Sequence, residues 1–304
     1  MKNKYEIDKE LTSITKFKTP FNKIVFSFAR IIIGKIFKCE SDEKVTVKKV
    51  YVDSFDGKKV LVNIIEPKGY ENKTLPGLVF YHGGGFVFGA SSAHYKVAKE
   101  YAVQTPCRVI YPDYRLAPKY PFPIPFNDCF EVYKWTVNNQ DKLKIIKDQL
   151  YIGGDSAGGN LAATVTLRTI NENLLIPKKA LLIYPVTDRR MITESMNKYI
   201  DTPVWDARLT KKMWKYYLHE NQIDRIEYVS PVEASSFEKF PSTYIEVAEY
   251  DCLKDEGILF YNKLVDAKVD VKLEEIKNAC HGFETAINSR ITINQIKKRS
   301  DFLR

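Results

Sequence analysis

The sequence predicts an α/β fold: a mostly parallel central sheet of about eight strands, flanked by helices on both faces and carrying a helical cap. Three observations predict it. Short apolar runs at Leu78–Tyr81, Leu150–Gly153, Ala180–Tyr184 and Thr243–Ala248 alternate with longer helical stretches, the pattern of a parallel sheet whose ligands gather at the carboxyl ends of its strands. The run at Leu150 passes through Gly153-Gly154-Asp155-Ser156-Ala157-Gly158-Gly159 into an alanine-rich helix. The run at Leu78 leads straight into His82-Gly83-Gly84-Gly85, and three consecutive glycines directly after a strand are not explained by strand packing.

The chain has 304 residues, of which 44% are hydrophobic. That is enough for one large core, read as a single domain over 45–304 behind an N-terminal cap segment of residues 1–44. The five cysteines, Cys39, Cys107, Cys129, Cys252 and Cys280, are odd in number, widely spaced and without a Cys-x-x-Cys pair. That argues against a disulfide framework and a zinc site, and for a reducing, cytoplasmic setting. Cys280 beside His281 reads as a small buried hydrophobe. The net charge is +9, and the first fifty residues supply +6 of it, with twelve Lys/Arg against six Asp/Glu. The body is therefore nearly neutral, and no recognition element with interleaved basic and aromatic residues points to nucleic acid.

In the N-terminal segment, Phe21–Phe37 mixes isoleucines and phenylalanines with Lys23, Arg30 and Lys35. It is too interrupted by charge to span a membrane and starts too late for a signal peptide. It fits a helix packed as a lid over the site or a basic amphipathic helix on a membrane surface, and its broad apolar face favours the lid. Val45–Val52 and Lys59–Glu66 form a hairpin through Asp56-Gly57. After the strand at Leu78 come a helix near Ala93–Gln104, a strand at Arg108–Tyr111 and an irregular stretch, Asp113-Tyr114-Arg115-Leu116-Ala117-Pro118 then Pro121-Phe122-Pro123. Its prolines fix the loop, and an Asp113–Arg115 pair is expected to hold it. A helix near Asn127–Asn138 leads to the Leu150 strand, and the helix after Ser156 runs to about Ile170. Residues 188 to about 228 break the rhythm: Trp205, Met213, Trp214, Tyr216, Tyr217 and Leu218 lie among lysines. They read as a cap insertion whose aromatics line an acyl or aryl pocket or, equally, form the core of the cap helices. A helix from about Asp255 to Val265, a strand at Val271–Ile276 and a C-terminal helix complete the alternation. The last strand leaves an edge that could pair with a second copy as a homodimer.

The chemistry follows from placement. Gly154 and Gly158 flank Ser156 at minus two and plus two, a Gly-x-Ser-x-Gly turn that forces strained backbone on the serine and brings the main chain too close for a Cβ at either flank. The hydroxyl then stands clear of the sheet above a helix N-terminus, where the Ala157 N–H can meet an oxyanion. Gly83, Gly84 and Gly85 supply further bare N–H groups for the same purpose. A serine hydroxyl needs a base. His281, in a loop after the final strand, is the best placed of four histidines; His82 belongs to the glycine loop, and His94 and His219 fall in helices with packing or surface roles. Asp251, just past the preceding strand, is preferred over Asp255 as the carboxylate that orients the imidazole, because Asp255 opens the following helix.

These motifs, His82-Gly-Gly-Gly-Phe86, Asp113-Tyr-Arg-Leu-Ala-Pro118 with Pro121-Phe-Pro123, Gly154-Asp-Ser-Ala-Gly-Gly-Asn160, Asp251-x-Leu-x-Asp-Glu256 and His281-Gly-Phe283, in this order, resemble the hormone-sensitive lipase family of α/β-hydrolases, including bacterial family IV esterases and acetyl esterases. The resemblance covers about Leu78 to Phe283. It implies the α/β-hydrolase fold and a triad of Ser156, Asp251 and His281. It also implies an oxyanion hole from the Gly83–Gly85 loop with Ala157, a cap from the N-terminus and the 188–228 insertion, and cofactor-free, metal-free hydrolysis of a short-chain acyl ester. Lys119, where Glu is usual, and Asn278-Ala279-Cys280 before the histidine depart from the family's pattern; the second bears on the loop carrying His281. Relatives of this fold also include amide and formamide hydrolases and non-catalytic ligand receptors; the retained triad favours an enzyme.

Overall fold

The computed structural model describes residues 4–16, 37–219 and 223–304. Apart from Phe37, the helix expected over Phe21–Phe37 lies outside them. After a helical turn α1 (Thr12–Thr15), the strands are β1 (Val45–Asp53), β2 (Lys59–Pro67), β3 (Leu75–Tyr81), β4 (Arg108–Asp113), β5 (Ile145–Asp155), β6 (Lys179–Ile183), β7 (Ser242–Tyr250) and β8 (Val271–Cys280). They form one eight-stranded sheet in the order β1-β2-β4-β3-β5-β6-β7-β8. β1 and β2 pair antiparallel, as do β2 and β4. Every later pair is parallel.

Helices cover both faces, as β-strands joined by crossovers require. On one side lie α2 (Ser92–Gln104) and α8 (Arg290–Leu303), which bury Val97, Tyr101, Ile296 and Leu303. On the other lie α3 (Ile124–Asn138), α4 (Ala157–Asn171) and α7 (Lys254–Asp266), which bury Phe126, Phe130, Leu161, Val165, Phe260 and Leu264. Between β6 and β7 the chain forms α5 (Glu194–Lys198) and α6 (Ala207–Leu218), within the stretch that broke the strand rhythm. Asp206 caps α6, its carboxylate accepting the Leu209 N–H at 2.9 Å.

The expected Asp113–Arg115 pair is replaced by another. Arg115 reaches Asp128 on α3 at 2.6 Å and Asp56 in the β1–β2 turn at 2.6 Å. The reason is the buried Asp128 carboxylate, which needs a cation and takes the guanidinium fork on both oxygens. Arg115 thereby ties the hairpin to the helical layer.

All five cysteines are free and buried. Burial pushes the thiol of Cys39 up to about 11 and those of Cys107 and Cys280 up to about 12, so none is a thiolate near neutrality. An aromatic disulfide reagent added to the folded protein is expected to titrate no thiol rapidly, and five after denaturation; a fast-reacting native thiol would contradict the packing.

Candidate active site

The site forms where β3 and β5, neighbours in the sheet with Tyr81 beside Gly154, end together. β5 turns into α4 with no intervening loop, and Ser156 takes φ 54° and ψ −117° at the junction. A side chain at φ near +60° costs about 1–3 kcal/mol. Three backbone bonds hold it: the Ser156 N–H donates to Ile183, and the Ser156 carbonyl accepts from Asn160 and Val186, at 2.8, 3.1 and 3.1 Å. The flanking glycines are required by contact. A Cβ on Gly158 would lie 1.9 Å from the Tyr81 carbonyl oxygen, and one on Gly154 2.3 Å from that of Gly158.

His281 follows β8 and Asp251 follows β7, and the structure brings both to Ser156. The His281 Nδ1 lies 2.6 Å from Asp251 Oδ2, and its Nε2 lies 2.9 Å from Ser156 Oγ. Because a carboxylate only accepts, Nδ1 carries the proton and Nε2 faces the hydroxyl as an acceptor. All three groups are buried. The rival carboxylate, Asp255, accepts instead from the Ser195 N–H at 2.7 Å, away from the imidazole. The irregular approach to His281 is a bulge. Between the pairs Ala248–Ile276 and Tyr250–Cys280, β8 takes four steps for two on β7, with Asn278 at φ 55°. Bulges re-aim the residue that follows, and here the residue is His281.

The glycine loop is held peptide by peptide. Tyr114 Oη donates to the His82 carbonyl at 2.6 Å, and the Gly83 N–H of the same peptide donates to Asp155 Oδ1 at 2.9 Å. The Gly83 carbonyl lies 2.7 Å from His82 Nδ1, and the Gly84 carbonyl accepts from Val87 and Phe88. With those carbonyls fixed, the N–H groups of Gly84 and Gly85 point the other way and, with the first helical N–H at Ala157, form the candidate oxyanion donors. Gly83 is a correction to the sequence reading: its N–H belongs to Asp155, so it positions the loop and does not face an oxyanion. A Cβ at Gly83 would also lie 2.1 Å from that carboxylate.

His94 was expected only to pack or face solvent. The structure places it in the wall of the cavity beside Ser156 and His281, with Nε2 3.3 Å from Asp155 Oδ2 and Nδ1 accepting the Ser91 N–H at 2.9 Å. Burial alone would raise the Asp155 pKa, but His94 and the Gly83 N–H hold it below the usual carboxylate value. Against burial, Asp155 holds His94 above its own. The position of Asp155, directly before the serine, was the available signal; His94 offered none. The cavity has a volume of about 290 Å³, with Phe88, Val97, Val204 and Trp205 on its apolar walls and His94, Asp155 and Glu284 among its polar ones. Trp205, of the six residues named in the insertion, lines it. Met213, Trp214 and Tyr217 are core, with Tyr217 stacked on Phe86 at 3.7 Å.

A family model described as alpha/beta hydrolase fold matches residues 78–285, about two-thirds of the chain. The chain belongs to the hormone-sensitive lipase family of α/β-hydrolases. It is 30% identical over 214 residues to carboxylesterase NlhH of Mycobacterium tuberculosis, covering 69% of this chain and 66% of the relative. It is 30% identical over 213 residues to an arylesterase of Saccharolobus solfataricus, covering 69% of each. Among solved structures it is similar to a bacterial heroin esterase, with a TM-score of 0.89, 28% identity, and 98% and 97% of the two chains covered.

Two predictions follow for the loop of this α/β-hydrolase. Asp155→Ala removes the acceptor for Gly83 and is expected to lower kcat about tenfold or more, while Asp155→Asn, which keeps an acceptor oxygen, loses less; equal losses in steady-state assays would show that the clamp is not what matters. Burial holds the His82 imidazole down to about 4, so between about 6.5 and 4 the unfolded chain takes up a proton that the folded protein refuses. The stability carried by the neutral ring is complete above about 6.5 and drains as the pH falls towards 4. Thermal melting across that range should show a smaller acid loss for His82→Asn, whose amide can still donate to Gly83, than for the wild type.

Proposed function

We propose that this carboxylic ester hydrolase is a serine esterase acting on short-chain acyl esters, acetyl to about hexanoyl, through an acyl-enzyme. The observation that carries the reading is the continuous hydrogen-bonded line from Asp251 through His281 to Ser156. His281 Nε2 takes the Ser156 proton as the oxygen attacks the ester carbonyl, and Asp251 stabilises the imidazolium. The tetrahedral oxyanion is received by the N–H groups of Gly84, Gly85 and Ala157, each such donor contributing on the order of 3 kcal/mol to the transition state. His281 then protonates the departing alcohol, and a water activated by the same nitrogen releases the acid.

The cavity supports the size limit. Its volume of about 290 Å³ is at the small end of ligand pockets. Its lining is not apolar throughout: a long acyl chain would have to desolvate His94, Asp155 or Glu284. The esterase names carried by NlhH, the arylesterase and the heroin esterase support the ester class.

The test is a p-nitrophenyl ester series from acetate to palmitate beside an aryl amide, with a fluorophosphonate label counting active serines. Turnover is expected to peak at or below hexanoate, to be small on the amide, and to vanish with the label in Ser156→Ala. A maximum at long chains would overturn the size limit, a preference for the amide would transfer the chain to the amidases, and a wild type that takes no label would be a receptor.

A further inference from the structure

Among the described residues, the largest fully buried side chain is charged. Arg299, on the C-terminal helix α8, has no solvent exposure. Its guanidinium forks onto both oxygens of Glu246 on β7, with Nε to Oε2 at 3.0 Å, and Nη1 reaches the Tyr101 hydroxyl at 3.0 Å and the Glu284 carboxylate. Taking such ions out of water costs several kcal/mol each, and well-packed apolar residues of the same volume commonly stabilise a core as well or better. Anchoring α8 therefore does not require this triad. What apolar packing could not supply is a directed reach into the active site.

That reach is short and specific. Glu284 stands three residues after His281 and lines the catalytic cavity. Its second oxygen accepts the Tyr184 hydroxyl. Tyr184 follows β6 at φ 33°, a strained backbone position, and its ring lies against the His281 imidazole with centroids 4.7 Å apart. Strained backbone persists only where the surroundings over-determine it, and a buried tyrosine hydroxyl needs a partner to hold that far end. The buried carboxylate does so, and Arg299 holds the carboxylate. We infer that Arg299, Glu284 and Tyr184 are positioning residues that brace the His281 imidazole from behind, keeping Nε2 on the Ser156 hydroxyl. The inference deepens the esterase reading and rests on it.

The test uses substitutions that cut the brace without emptying the core. Tyr184→Phe keeps the ring and removes the hydroxyl, and Glu284→Gln keeps the shape and removes the charge. Arg299→Lys keeps a cation but not the fork. Turnover of p-nitrophenyl butyrate is measured per active site, with sites counted by fluorophosphonate at completion so that misfolded protein drops out. For Tyr184→Phe and Glu284→Gln, kcat per site is expected to fall about tenfold with KM changed less than about twofold. The downfield proton resonance of His281 Nδ1, read by NMR, is expected to broaden or shift. A role confined to holding the fold would lower melting temperature and site count yet leave per-site kcat and that resonance at wild-type values, and this result would overturn the proposal. Wild-type turnover and labelling in the same assay report separately on the esterase reading, and the resonance tests the brace even if that reading fails.

Discussion

Everything at the site depends on how closely three pieces of main chain approach one another at the end of β3 and β5. Tyr81 and Gly154 are partners in the parallel ladder, so the two central strands finish at the same level. α4 starts directly after β5, and the place where a Gly158 Cβ would sit is already occupied by the Tyr81 carbonyl. This crowding leaves β5 no room for a relaxed loop and transfers the strain to Ser156, whose positive φ points its oxygen outward over the sheet. It also brings the glycine loop, which leaves β3 at the next residue, beside the first N–H of α4. The Ser156 hydroxyl and the N–H groups of the glycine loop are therefore adjacent because two strands are in register.

Adjacency alone does not aim an N–H group. The loop's peptides are turned by groups drawn from four places in the chain: Tyr114 after β4, Asp155 at the end of β5, the imidazole of His82 itself, and the amides of Val87 and Phe88. Each fixes the carbonyl or amide of one peptide, and a planar peptide fixed at one end is aimed at the other. The N–H groups of Gly84 and Gly85 are thus oriented by the folded chain itself. The irregular Asp113–Pro118 stretch is explained in the same terms: Ala117 donates to the Phe86 carbonyl at 2.9 Å, and Tyr114 stacks on His82 with centroids 4.4 Å apart.

The sequence made legible whatever is local. Strand and helix alternation, the hairpin at Asp56-Gly57, and the placement of Ser156, Asp251 and His281 at strand ends could all be read from apolar runs and the residues terminating them. Element boundaries shifted where tertiary pairing extended them. β5 begins at Ile145 because that residue pairs with Leu75 across a register shift. What could not be read were partners chosen in space. Arg115 read as the partner of Asp113 two residues away, yet it pairs with the buried Asp128 and with Asp56. Gly83 looked like its two neighbours, yet a carboxylate 72 positions further on takes its N–H. The aromatics of the insertion divided, with Trp205 on the cavity and Tyr217 in the core, and their spacing gave no sign of it.

The chain's first described residues follow the same logic over the longest span. Tyr5 packs on Tyr250, the neighbour of Asp251, with centroids 5.6 Å apart, and its hydroxyl binds Asp201 between α5 and α6 at 2.5 Å. The Asp8 N–H donates to the Asn278 carbonyl at 2.8 Å, while the Asn278 N–H donates to Glu249. Asn278 is the bulged residue that sets where β8 delivers His281, and asparagine tolerates its left-handed backbone better than most side chains. An extra stretch in a strand leaves backbone groups with no ladder partner, and here one is taken by Glu249 of the adjoining strand and another by a segment some 270 residues earlier. The 2.6 Å separation of Asp251 and His281 is therefore fixed by the bulge, and the bulge is satisfied in part by the amino-terminal chain lying across it. That arrangement explains why an unusual approach to the histidine leaves the triad geometry intact: the irregularity is bonded on both sides.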